Sequence, residues 1–472
     1  MMEERDNNYW DDDIVEAVNR FKRSLISGRK KYFDVSEFEG IVEQLLEEGD
    51  LQGSEIAAEQ GIKIHPNAVP LQLKYAQILI NKGLYEKSLT YLKTAEKVDS
   101  KNPDVHLMKG SAQMVIGKES DALISFRKAV KYAGSEIDDI LYQIGSTYVQ
   151  IGNIKKAIYY FEKTIRANPY NDLALYDLGF FYDQENNLIK SVEFYNKYLD
   201  IDPFNQYVWF NLGTVYNKTE DHDKAIEAYE FAYALNSEFH MALFNIGNAL
   251  ANAGKYSEAI DKYNEFLAIE PVNDEAYCYI GECFLNLEDY EKSRHYYLRA
   301  IEINKDNDTA WFGIGLILWI EQNFEASIRY IKKAIKIDGE NSEYWLTLGK
   351  INKDCNNKEY AVSALKKAAR LEADNIEIWF TWVDLYLKFK EPDNAVRILK
   401  KGIENNPDVI LKYRMAALLF EQKKKEEAFQ QLALALMQDC DQVEFMFEMN
   451  PKLRRSKKIS NMVAEFKAFN FI

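Results

Sequence analysis

Apolar, small and polar positions along this chain return with a near-constant period of 34 residues. Glycine marks the period at Gly110, Gly145, Gly179, Gly213, Gly247, Gly281, Gly315 and Gly349. Twelve residues after each stands alanine or serine: Ala122, Ala157, Ser191, Ala225, Ala259, Ser293, Ser327 and Ala361. The small residue recurs at Ser54, Ser88, Ala395 and Ala428, where Val42, Ala76, Val383 and Ala416 replace the glycine. Twelve repeats therefore run between about Val35 and Gln442, and self-similarity at this period is the mark of stacked repeats rather than of several globular domains.

With the glycine set as the eighth place of each repeat, Pro66, Pro169, Pro203, Pro271 and Pro407 all fall at place 32 and end a unit. Gly49, Gly83, Gly117, Gly152, Gly254 and Asn186 fall at place 15, a second break of the kind that closes a helix in left-handed geometry. Two helices per repeat follow, roughly places 1–14 and 17–30. At about 100° per residue, places 4, 7, 8 and 11 share one face and places 2, 6, 9 and 13 the opposite one. In repeat 6 the first set is Trp209, Leu212, Gly213 and Tyr216, the face turned into the hairpin. Glycine inside a helix costs roughly 0.5–1 kcal/mol relative to alanine, so the eight glycines predict close helix contact, with the partner Ala or Ser letting two backbones approach.

WFNLGTVY at residues 209–216, continued by Ala225, Tyr229 and Ala232, resembles the tetratricopeptide repeat (TPR) family, as do AWFGIG at 310–315 and YWLTLG at 344–349. That family carries an aromatic at place 4, Leu-Gly at 7–8, Tyr at 11, Ala at 20, an aromatic at 24, Ala at 27 and Pro at 32. The resemblance implies an all-α, right-handed α-solenoid superhelix of about twelve helical hairpins with short capping segments, of the long soluble bacterial type. Residues 1–34 are expected to hold an acidic segment, Glu3 to Asp13, and a capping helix with Ile14, Val18, Phe21 and Leu25 on one face; a free acidic tail is the other reading. Residues 35–442 form the array, and residues 443–472 a closing helix with the stripe Ile459, Met462, Val463, Phe466 and Phe469. Tyr198 and Phe266 occupy place 27, where the family has a small residue, and predict wider spacing or an altered bend after repeats 5 and 7.

Composition narrows the function. A net charge of −16 argues against nucleic acid and anionic membrane as partners, because phosphate contact needs a basic surface. There is no 18-residue apolar run and no apolar leader, so a cytoplasmic protein is expected. Cys278, Cys283, Cys355 and Cys440 form no CxxC pair and read as reduced, mostly buried thiols. The histidines, His65, His106, His222, His240 and His295, fall at unrelated places, and no GxGxxG, HExxH or GxSxG is present. No catalysis, cofactor or metal is expected.

Function is then expected on the face of places 2, 6, 9 and 13, which in the resembled family lines a concave groove. It carries Gln143, Asp177, Asn211 and Asn245 at place 6, Phe180, Thr214, Asn248 and Glu282 at place 9, and Gln150, Gln184, Lys218, Asn252 and Asn286 at place 13, with Asn217 beside them. Carboxamides in a row suit an extended peptide, each donating to one carbonyl and accepting from one N–H. Place 5 supplies Tyr142, Tyr176, Phe210, Phe244 and Phe312, and place 2 Tyr207, either as pockets for apolar side chains or as packing between repeats. Asn211 and Asn245 resemble the asparagine ladder of TPR-bearing O-GlcNAc transferases, although no glycosyltransferase part follows here; of the cationic clamp of TPR co-chaperones, the central repeats carry only Lys218 on this face. Two readings stand: an adaptor holding a protein or peptide segment in the groove, and a scaffold that self-associates through its ends or its convex face, with the C-terminal stripe as contact.

Overall fold

The computed structural model describes residues 7–28 and 31–469, with backbone alone at 7–12 and 469. The acidic side chains from Glu3 to Asp12 and the Phe469 ring thus lie outside the described residues. Every regular element among the described residues is helical. The chain divides into two compact units, residues 1–237 and 238–472, and each is a row of antiparallel hairpins in which consecutive helices pack on one another.

Local chemistry explains where the helices start and stop. Asn102, Asn171 and Asn205 in the first unit, and Asn273, Asn307, Asn341 and Asn375 in the second, cap the first helix of their repeats through the side-chain oxygen. Such a cap contributes about 1 kcal/mol. The hairpin turn is closed by a left-handed residue at place 15 in all twelve repeats, with φ between 57° and 79°. In repeat 4 the Gly152 N–H donates to the Val149 carbonyl and the Asn153 N–H to the Tyr148 carbonyl, both at 2.9 Å, which satisfies helix-end carbonyls that would otherwise be orphaned. Glycine is not required there: Glu220, Glu288, Gln322, Lys390 and Lys423 take the same geometry. The extra residue between Gly110 and Gly145 is absorbed by a single 3-10 turn, Gly134–Glu136.

The place-8 glycines make room for something other than a neighbouring backbone. A Cβ on Gly145 would meet the Phe161 ring at 2.6 Å, on Gly179 the Tyr195 ring at 2.6 Å, and on Gly247 the Tyr263 ring at 2.6 Å. The place-24 side chain of the second helix is thus laid across the bare first helix. Serine at place 20 adds a bond: Ser191, Ser293 and Ser327 donate to the carbonyls of Gly179, Gly281 and Gly315 at 2.6–2.7 Å.

Tyr198 and Phe266 do not widen their junctions, and the second helices of repeats 5 and 7 pack on the following repeat as closely as the others do. Instead their rings turn into their own hairpins. Phe266 lies 5.2 Å from Phe244, and Tyr198 lies 6.3 Å from Tyr176 while its hydroxyl accepts from Asn205 at 2.9 Å.

Both termini cover the adjacent hairpin. On the N-terminal helix, Asn7–Ser27, Val18 and Phe21 are buried with Phe33 and Phe38, and Ile14 packs beside them, whereas Leu25 stays exposed. On the C-terminal side, Ile459 is buried, and Met462, Val463 and Phe466 pack on a cluster that includes Tyr413, Leu432 and Leu436. These four residues of the stripe pack inside the second unit, Ile459 buried and the other three partly so.

Candidate functional site

Between the repeats of one unit, the helices two apart in sequence that pack most closely are first helices: those of repeats 1 and 2, 2 and 3, 3 and 4, and 5 and 6 in the first unit, and of repeats 7 and 8, 8 and 9, and 10 and 11 in the second. The first helices therefore form the inner layer of each hairpin row, and places 2, 6, 9 and 13 carry exposed side chains in repeats 4–6, whereas Thr347 and Thr381 at place 6 are buried.

In the first unit this layer includes Ile137–Gln150, Asp172–Gln184 and Gln206–Lys218, from repeats 4, 5 and 6. Gln143, Phe180, Gln184 and Tyr207 are exposed on it, Phe180 at 40% and Tyr207 at 56%, and Leu173 is exposed beside them. The place-5 rings behave differently. Tyr142 lies 5.3 Å from Phe161, Tyr176 is edge-on to Tyr195, and Phe210 lies 5.4 Å from Tyr229, so each half-buried ring is backed by the place-24 ring of its own hairpin.

Their hydroxyls tie successive repeats together. Tyr142 donates to Asp177 at 3.0 Å, and the Tyr176 hydroxyl accepts from the Asn211 amide at 3.3 Å. Burial, and then the Asp177 carboxylate, push the Tyr142 phenol up to about 12, while burial raises Asp177 against the opposing effect of the Tyr142 bond. Asn211 is thus both a face residue and a rung between repeats. Asn217 sits at the hairpin turn, its Oδ1 3.2 Å from His222 Nδ1, rather than on the face. Lys218 pairs with Asp183 at 2.7 Å.

The second unit opens with Met241–Asn252, which carries Asn245, Asn248 and Asn252 at the same places. Asn252 is exposed and the other two are half-buried. Asn248 accepts from the Tyr263 hydroxyl at 2.7 Å and donates to Asn245 at 3.3 Å. Thr214 takes the Tyr229 hydroxyl in the same way at 3.1 Å. Phe244 is buried among Tyr263, Phe266 and Tyr279, and Phe312 is buried 4.6 Å from Tyr344; both are packing residues and offer no pocket.

Several roles were not read from the sequence. The side chain at place 4 donates to the carbonyl six residues earlier, at the end of the preceding hairpin: Trp209 to Pro203, Trp311 to Lys305, Trp345 to Gly339 and Trp379 to Ala373, each at 2.8–2.9 Å. Gln72 reaches Pro66 in the same way, and the buried His106 ring lies 2.8 Å from the Ser100 carbonyl, which gives this histidine a structural task. The coincidence of all six at place 4 was the available signal. Cys278 and Cys283 are buried thiols pushed up by that burial, Cys283 to about 12. Among the described residues no cluster of three His, Cys, Asp or Glu is arranged for a metal, and no helix is long and apolar enough to cross a membrane.

No curated protein matches the chain in sequence. Among solved structures it is similar to a tetratricopeptide repeat protein from Parabacteroides merdae, at 18% identity over 53% of this chain and 98% of that one, with a TM-score of 0.47. It is also similar to yeast Tom70, at 14% identity over 92% and 96% with a TM-score of 0.45, and to the Cut9-Hcn1 hetero-tetramer of the APC/C, at 12% over 92% and 96% with a TM-score of 0.39. Three sequence models, each described as Tetratricopeptide repeat, match residues 210–276, residues 274–307, and residues 69–102, 138–171, 173–205, 308–341 and 342–375. These matches span more than half of the chain and coincide with the hairpins above, and the chain belongs to the tetratricopeptide repeat family.

Proposed function

We propose that this chain, a protein-interaction scaffold by its family, holds an extended segment of a partner protein along the first-helix face of repeats 4–6. The observation that carries this reading is the alternation on that face of exposed carboxamides, Gln143 and Gln184, with exposed large apolar side chains, Leu173, Phe180 and Tyr207. Amides of this kind pair with a main chain whatever its sequence, and the apolar groups beside them select side chains. Asn211 supports the row from behind through Tyr176. Asn245, Asn248 and Asn252 offer the same chemistry on the first helix of the second unit. Each repeat contributes a few weak contacts, and affinity comes from their sum along the ligand.

The test is selection of peptides from a displayed library on the intact chain, followed by calorimetric titration against two variants. Gln143→Ala with Phe180→Ala, Gln184→Ala and Tyr207→Ala removes only exposed side chains, and is expected to abolish binding at an unchanged melting temperature. Tyr159→Ala with Ile189→Ala removes exposed side chains of second helices and is expected to leave binding intact. Equal binding by both variants would refute the assignment.

A further inference from the structure

A cavity of about 780 Å³ at the end of the second unit belongs to none of this. It lies between the two helices of repeat 12, Val409–Glu421 and Lys425–Gln438, and the closing segment formed by the 3-10 turn Pro451–Arg455 and the helix Lys457–Phe469. Its apolar wall is Phe420 and Phe429, edge to face at 5.1 Å, with Leu453 and Ile459. Lys425, Lys452 and Lys458 stand around that wall, and Lys458 Nζ is 4.3 Å from the Phe429 ring centre.

Three cations nearby are paired, Lys424 with Asp393 at 2.8 Å, Arg414 with Asp384, and Arg454 with Glu444. The three lysines of the cavity form no ion pair among the described residues, although Glu426 lines it too. Three lysines around an apolar wall, one of them over an aromatic ring, suit an occupant that brings several carboxylates and a large apolar group together. One segment of this chain has that composition. Residues 1–13 contain Glu3, Glu4, Asp6, Asp11, Asp12 and Asp13 against a single Arg5, with Tyr9 and Trp10 directly before the aspartates.

We propose that the cavity receives residues 1–13 of a second copy of the chain, the aromatic pair against Phe420 and Phe429 and the carboxylates on the lysines. The contact joins unlike surfaces and so propagates head to tail rather than closing a symmetric dimer. It does not depend on the first-helix face.

Light scattering of the intact chain at rising concentration and low salt is expected to show mass beyond the monomer, reduced by added salt. Deletion of residues 1–13 is expected to return the monomer, and so is Lys425→Glu with Lys452→Glu and Lys458→Glu. Mixed together, these two variants are expected to give a heterodimer and nothing larger, because one offers only the cavity and the other only the segment. A synthetic peptide of residues 1–13 is expected to bind the deleted chain and to bind about tenfold or more weakly once the lysines are reversed. If charge reversal disturbs the fold by circular dichroism, Lys→Gln at the same three positions gives the same readout. A monomer at every concentration, a mixture that stays monomeric, or association that survives the deletion would each overturn the proposal.

Discussion

At the scale of single residues, the place-8 glycine and the place-24 ring form one device. Alanine at place 8 gains roughly 0.8–1 kcal/mol of helix propensity, but its Cβ must displace a buried ring, and overpacking of that sort costs about 1–3 kcal/mol. Gly247 shows the balance clearly, because a Cβ there falls 2.6 Å from a Tyr263 ring whose hydroxyl is already fixed on Asn248. Gly247→Ala is therefore expected to destabilise by up to about 2 kcal/mol in urea denaturation. The turn residue at place 15 has the opposite sign. Glu220 holds φ at 60°, which costs a non-glycine residue about 1–2 kcal/mol. Glu220→Gly relieves that strain at the expense of backbone entropy in the unfolded chain, and a net gain of about 0.5–1 kcal/mol is expected by the same measurement.

Between elements, stability comes from side chains that link one hairpin to the next. Glu96 on the second helix of repeat 2, Tyr85–Val98, is reached by Lys109 at 2.5 Å from the first helix of repeat 3, Pro103–Val115, and by Lys128 at 3.0 Å from its second, Glu119–Tyr132. Burial works against the charged carboxylate, but the two ammonium groups outweigh it and hold the group at about 2. A carboxylate depressed in the folded state stabilises above its unfolded value, 4.5 for glutamate, and that contribution fades as pH falls through the window down to about 2. Glu96→Gln is expected to cost about 1–2 kcal/mol at neutral pH and to flatten the acid limb of a melting-temperature profile, with both proteins converging near pH 2. This link was not legible in the sequence, whereas the hairpins were. A 34-residue period fixes two helices per repeat because propensity, breaks and small residues all recur in register. A lysine at places 7 and 26, as at Lys109 and Lys128, has no periodic partner to reveal it. The face residues stand between these cases. Helical spacing placed Gln143, Phe180, Gln184 and Tyr207 outward correctly, but 100° per residue does not say that the Phe244 ring is enclosed by Phe266 and Tyr279, since those neighbours come from the next helix and the next repeat.

Within each unit, contacts among the described residues connect neighbouring helices above all, so a hairpin is stabilised chiefly by those beside it in its own unit. Stability of such an array approximates a sum of repeat terms and nearest-neighbour terms, and cooperativity across 472 residues is then limited. The calorimetric enthalpy of unfolding is expected to exceed the van't Hoff enthalpy, because parts of the chain melt separately. A lesion at one place tests this more sharply than the ratio does. Gly247→Ala loosens the first hairpin of the second unit, so hydrogen exchange is expected to speed up in residues 241–269 and the repeats after them, while the helices of repeats 1–3 exchange as in the parent chain. Uniform acceleration across every helix would mean that the chain unfolds as one body and would refute the nearest-neighbour account. The outcome bears on function as well. If the repeats open in sections, a partner bound along repeats 4–6 stabilises those hairpins in proportion to its occupancy, and protection confined to them would map the bound face directly.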